Sequence, residues 1–112
     1  MKRLWFAFLY SLSGLAAAWR DEAAFRQEVI LAAVVIPWAI ILAPNKLSLL
    51  LMIGSVLLVL VLELLNTAVE ACINRIGPEI HPLSKKAKDT ASAAVFIGLA
   101  HMLLVWSVIL LF

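Results

Sequence analysis

The sequence predicts an all-α membrane protein, built as an N-terminal amphipathic surface helix followed by three transmembrane helices. Of its 112 residues, 65% are hydrophobic and only 14% are charged, and the mean hydropathy is +1.08. Soluble domains are about 45–50% apolar and about 25% charged. Three long stretches, 29–45, 47–62 and 90–112, contain no Lys, Arg, Asp or Glu. At about 20 residues per span, a chain of this length holds about three such helices and little else. The composition excludes a soluble enzyme domain and a disordered chain. With 4 Gly, 4 Pro and 1 Cys it also excludes collagen-like and disulfide-stapled scaffolds. A net charge of +2 gives no reason to expect a nucleic-acid partner.

Residues 1–21 admit two readings. Lys2 and Arg3, an apolar run and then Ala16-Ala17-Ala18 look like a signal peptide with a small-residue cleavage site. Alternatively, Leu4, Trp5, Phe8, Leu12, Leu15 and Trp19 recur at helical spacing, with Arg3, Tyr10, Gly14 and Asp21 on the other side. That two-faced pattern fits a helix lying in the membrane interface, which a signal peptide does not require.

The first span is expected at about 27–45, with Pro37 kinking it. Ala43-Pro44-Asn45-Lys46 reads as a turn. The second charge-free stretch is too short to cross alone, so the helix is expected to run over about 47–73 and carry Glu63 and Asn66 into the bilayer. A loop follows over 74–84, then a third span over about 85–112, with Ser84 as its candidate cap. The whole chain reads as one membrane domain, 1–112. Cys72 is single, and its expected role is that of a small buried hydrophobe. His101 is expected to be packed or hydrogen-bonded within the third span, and the four Trp to be interface anchors or core.

Basic residues set the orientation. Lys2, Arg3, Arg20 and Arg26 precede the first span, and Arg75, Lys85, Lys86 and Lys88 lie between the second and third. The intervening turn holds only Lys46. The positive-inside rule then puts the N-terminus and the 74–89 segment in the cytoplasm. All seven carboxylates, Asp21, Glu22, Glu28, Glu63, Glu70, Glu79 and Asp89, fall on that same side, although none contributed to the assignment.

Glu63, Asn66 and Glu70 form the pattern E-x-x-N-x-x-x-E, whose offsets place all three on one helical face. At a rise of 1.5 Å per residue the two carboxylates sit about 10 Å apart along the axis, too far to share one ion directly. Different tasks suit them: Glu70 near the headgroups, Glu63 about two turns deeper. A carboxylate at that depth costs several kcal/mol unless it is paired, protonated or wet, which makes Glu63 a candidate general base. The plainer readings are interhelical hydrogen-bond glue for Glu63 and Asn66 and a solvated helix end for Glu70. They are a solvated face for Asp21 and Glu22 and headgroup contact for Lys85, Lys86 and Lys88. Lys88-Asp89 beside the acidic helix could instead hold a phosphate and a metal. Phosphate-loop, soluble-kinase, zinc and nucleophile-elbow signatures are absent. The residues alone therefore point to a three-span protein with a cytoplasmic carboxylate site, and name no substrate.

Glu22-Ala23-Ala24-Phe25-Arg26-Gln27-Glu28, Glu63-Leu64-Leu65-Asn66-Thr67-Ala68-Val69-Glu70 and Arg75-Ile76-Gly77 resemble blocks of the prokaryotic diacylglycerol kinase family. So do His81 through Ser84, Ala87-Lys88-Asp89 and Ser92-Ala93-Ala94-Val95, in the family's order and spacing, so that the resemblance runs from Arg3 to about Trp106. It implies a small homotrimeric lipid kinase of the bacterial inner membrane, with active sites shared between subunits. Such an enzyme moves the γ-phosphate of magnesium ATP to diacylglycerol. It also disfavours the signal peptide, because Arg3, Tyr10 and Glu22 match functional positions.

Residue by residue, the resemblance makes Glu63 the proton acceptor and Glu22 and Glu70 the magnesium ligands. Arg3, Tyr10, Glu22, Glu70, Glu79, Ile80, His81, Lys88 and Asp89 match nucleotide contacts. Lipid-substrate positions are matched by Arg3, by Ala7, Phe8, Leu9, Tyr10, Ser11 and Leu12, by Ala16, Ala17, Ala18 and Trp19, by Ala24, Phe25, Arg26, Gln27 and Glu28, and by Glu63 and Ser92. Asn66 matches a supporting position. Two departures stand out: the second loop carries both Pro78 and Pro82, and Lys85-Lys86 is more basic than in some relatives. The rival acceptor is undecaprenol, through a sister branch of the same fold whose flavour His81-Pro82-Leu83 shares; a non-enzymatic scaffold would be expected to have lost Glu63 or Glu70.

Overall fold

The computed structural model describes residues 1–77 and 81–112. Four helices account for nearly all of them: α1 (Lys2–Asp21), α2 (Ala23–Leu42), α3 (Lys46–Ile76) and α4 (Pro82–Leu111). No strand occurs among the described residues. Three of the helices, α2, α3 and α4, are long and apolar enough to cross a membrane. The helices outreach the charge-free stretches, because charged residues at a span's end can leave the hydrocarbon without leaving the helix. With 31 residues, α3 is longer than the ~20 needed to cross.

Each turn has a local cause. Glu22 is the one extended residue between α1 and α2 (φ −116°, ψ 107°). Its N–H donates to Ala18 O at 2.9 Å and its carbonyl accepts from Arg26 N at 3.2 Å, so it ends one helix and starts the next. Arg26 Nη1 donates to Trp19 O (2.7 Å) and Arg20 O (2.9 Å), tying off carbonyls that α1 leaves free at its C-terminus. Asn45 caps α3, its side chain accepting from Ser48 N at 2.8 Å, within the turn expected at 43–46. Pro37 lies inside α2.

The expected cap of the last helix is corrected. His81, not Ser84, caps α4: its Nδ1 accepts from Leu83 N at 3.0 Å. Pro82 occupies the first turn, where its missing N–H costs nothing and its fixed φ starts the helix early. Ser84 is then already helical.

Helices α2, α3 and α4 pack side by side, each antiparallel to the one before. Glu28 and Val35 of α2 share a space with Val59 and Val56 of α3. Trp106 Nε1 of α4 donates to Met52 O of α3 at 3.2 Å. Small residues allow the approach: Ala32 and Ala39 are buried, as is Gly98. Met52, Ser55, Val56 and Val59 of α3 fill the centre, and Ser55 Oγ donates to Met52 O at 2.7 Å. Most other large apolar side chains, including nearly all those of α1, lie on the outside of the chain, where a bilayer or further copies would cover them.

Gly98 sits where α4 comes close to α3. A Cβ there would lie 2.5 Å from Leu62 Cδ1. Gly98→Leu is expected to cost about 1–3 kcal/mol through overpacking, read as a lower Tm in detergent. Gly98→Ala is expected to be mild, because the Leu62 methyl can swing away and Ala favours helix.

Two further expectations are corrected. Cys72 is exposed on α3, not buried. His101 is exposed on α4 and has no hydrogen-bond partner within the described chain. In both cases the surrounding helical pattern is apolar, but no neighbouring helix of this chain covers that side.

Candidate active site

A cleft of about 680 Å³ opens between α1 and the last turns of α3. Ser11, Gly14, Leu15, Ala17 and Ala18 of α1 form one wall, and Leu64, Thr67, Ala68, Glu70, Ala71 and Asn74 form the other. Asp21 and Glu22 close it at the corner. The extended backbone at Glu22 breaks α1 from α2 at this corner, and Glu22 and Glu70 both line the cleft. Two residues far apart in sequence thus line one cleft.

Glu63 lies below this cleft and does not line it. It is only 7% exposed. Its carboxyl lies against that of Glu28 on α2 and feels the charges of Glu70 and Glu22. Asn66 Nδ2 donates to Glu70 Oε1 at 3.3 Å, which links two of the three members of the E-x-x-N-x-x-x-E face. Asn66 also borders a second groove of about 490 Å³ between α3 and α4, with Lys86 and Thr90 on its other side.

The remaining sequence-derived positions disperse. Arg3 and Tyr10 are exposed on α1 outside the cleft, as are Ala7, Phe8, Leu9, Leu12, Ala16 and Trp19. Phe25 is buried at 4% exposure, Arg26 is engaged with α1, and Ala24 and Gln27 are exposed. Lys88, Asp89 and Ser92 lie on exposed faces of α4, and Asp89 pairs with Lys85 (Nζ to Oδ2, 2.6 Å). His81 is occupied as a cap. Glu79 and Ile80 lie outside the described residues. Thr67 and Asn74 line the cleft although neither was singled out; their offsets of four and eleven from Glu63 are the signal, since both fall on its helical face.

The donor set suits magnesium in a limited way. Among the described residues no three His, Cys, Asp or Glu side chains assemble into a ready-made metal cage. Magnesium does not need one, since it is usually held by one or two carboxylates together with substrate phosphates and water. Glu22 and Glu70, which line one cleft, could provide such a partial shell, and Asp21 and Asn74 line the same cleft.

Residues 9–110 match the family model described as "Prokaryotic diacylglycerol kinase". The chain is 52% identical over 103 residues to a "Diacylglycerol kinase" of Haemophilus influenzae, covering 92% of this chain and 87% of that protein. It is 50% identical over 111 residues to a "Diacylglycerol kinase" of Pseudomonas aeruginosa, covering 99% and 90%. With the corresponding Escherichia coli K12 protein it shares 47% over 104 residues, covering 90% and 83%. With a full-length match added to three spanning helices and a carboxylate face at one end of them, the chain belongs to the prokaryotic diacylglycerol kinase family.

Proposed function

We propose that this protein transfers the γ-phosphate of magnesium ATP to the hydroxyl of diacylglycerol, giving phosphatidic acid at the cytoplasmic face of the bacterial inner membrane. The observation that carries the reading is a carboxyl, Glu63, buried on a spanning helix directly below an acidic cleft that holds Glu22 and Glu70. Curated relatives named diacylglycerol kinase supply the acceptor.

Phosphoryl transfer is mostly positioning and charge neutralisation. Glu63 takes the proton from the lipid hydroxyl, which reaches it laterally from the bilayer while ATP enters from the water. Glu28 and Asn66 fix the neighbourhood of that carboxyl. Glu22 and Glu70 would hold the magnesium, which when bound neutralises phosphate charge. Arg3, Tyr10, His81, Lys88 and Asp89 serve the nucleotide.

The working unit is a homotrimer with shared sites. What supports sharing is that Lys88, Asp89 and Ser92 contribute nothing to the cleft of a single chain, so a second copy would have to bring them. Mixing inactive Glu63→Gln and Asp89→Asn proteins and letting their subunits exchange is then expected to restore part of the activity, because Glu63 lies below the cleft of its own chain while Asp89 lies outside it. No recovery after verified exchange places both residues in one chain's site.

The test is transfer of labelled γ-phosphate in mixed micelles, with diacylglycerol and undecaprenol offered in parallel. Label in phosphatidic acid that is lost in Glu63→Gln supports the reading. Label mainly on undecaprenol moves the acceptor to a polyprenol. No label on either lipid with folded protein removes the kinase reading.

A further inference from the structure

Three buried side-chain atoms have no hydrogen-bond partner among the described residues: Glu28 Oε2, Asn66 Oδ1 and Thr67 Oγ1. They are not scattered. Glu28 lies against Glu63, while Asn66 and Thr67 follow it by three and four residues on the same helix face. Folded proteins pair the great majority of buried polar atoms, so a cluster of unpaired ones around one carboxyl indicates an occupant that completes them.

Thr67 is the unexpected member. A Ser or Thr inside a helix ordinarily donates back to a carbonyl three or four residues earlier. Ser11 does so to Ala7 O at 2.9 Å, and Ser55 does so to Met52 O at 2.7 Å. Thr67 does not, although its natural partner would be the carbonyl of Glu63 itself. It also lines the cleft of Glu22 and Glu70, so it stands where that cleft meets the Glu63 neighbourhood.

We infer that Thr67 binds the acceptor lipid, its hydroxyl donating a hydrogen bond to the reacting hydroxyl oxygen and orienting it toward Glu63. This rests on the phosphotransfer reading above. An alcohol has one hydrogen and two lone pairs. In the transfer the O–H bond breaks and its proton goes to the Glu63 carboxylate. One lone pair forms the new O–P bond. The bond from the γ-phosphorus to the bridging oxygen breaks, and its electron pair leaves with ADP. One lone pair on the alcohol remains to accept a hydrogen bond. Ionised carboxylates cannot donate one, and Asn66 Nδ2 already gives one of its two N–H groups to Glu70, so the Thr67 hydroxyl is the donor here with no partner of its own.

Thr67→Val removes the hydroxyl at nearly constant shape, and Thr67→Ser keeps it. Thr67→Val is expected to lower kcat/KM for the lipid about tenfold, to leave the KM for magnesium ATP within about twofold, and not to lower Tm in detergent. Thr67→Ser is expected to stay within about threefold of the parent in all three. Parent-like kinetics in Thr67→Val would overturn the inference, since a water or nothing would then fill the position. Equal losses in both variants with a lowered Tm would also overturn it, by making Thr67 a packing residue. A parent protein that phosphorylates neither diacylglycerol nor undecaprenol removes the kinase reading and the inference together. An active parent with an unaffected Thr67→Val removes the inference alone.

Discussion

Glu63→Gln is expected to lower kcat by about 10²–10⁴-fold, the usual worth of a positioned proton acceptor. The amide matches the carboxyl in size and still accepts and donates hydrogen bonds, so packing against Glu28 survives. It cannot take the proton of an alcohol. A neutral amide is also cheaper to bury than a carboxylate, so Tm in detergent should hold or rise. Nucleotide binding should persist, because Glu63 does not line the cleft that holds Glu22 and Glu70. The checks are single-turnover transfer from labelled ATP, a nucleotide-binding isotherm and a melting curve on the same preparation. Turnover near the parent's would remove the proton-acceptor assignment. Loss of activity together with loss of fold would return Glu63 to the role of interhelical glue.

What the sequence revealed about this molecule depended on whether the cause was local. The face shared by Glu63, Asn66 and Glu70 follows from helical period alone, and the Asn66–Glu70 hydrogen bond fulfils it. The turn at 43–46 followed from its composition, and the structure adds that Asn45 caps the helix after it. The start of α4 was harder, because a histidine accepting from two residues ahead competes with the more familiar serine cap, and Pro82 shifts the balance. Cys72 and His101 could not be placed from their own helices, since burial depends on which neighbour covers that side. The same limit hid the task of Arg26: its bonds to Trp19 and Arg20 carbonyls exist only once α1 and α2 meet at Glu22. Thr67 was visible by offset and passed over, because a helical threonine normally satisfies itself.

Glu70→Gln separates a metal ligand from a helix-end charge. Both readings put a carboxylate at the mouth of the cleft opposite Glu22, and both tolerate its loss structurally. They differ in what the charge acts on. A ligand meets a divalent ion at contact distance, where removing one unit charge in a partly wet site weakens ion binding by about 10- to 100-fold. A solvated charge near a helix end is worth only about 0.3–1 kcal/mol and touches no ion. The expected result is therefore a magnesium activation curve displaced by about 10- to 100-fold at fixed ATP, with much of the lost rate recovered at high magnesium. Raising ionic strength with a monovalent salt should not reproduce the displacement, because screening acts on distant exposed charges more than on a ligand in contact. The Asn66 hydrogen bond to Glu70 adds a second readout. The amide introduced by Glu70→Gln can still accept from Asn66 Nδ2, so that hydrogen bond and Tm should be kept while the magnesium midpoint moves. An unchanged midpoint with reduced kcat would instead assign Glu70 to tuning the charge felt by Glu63, and leave Asp21 and Glu22 as the cleft's remaining ligand candidates.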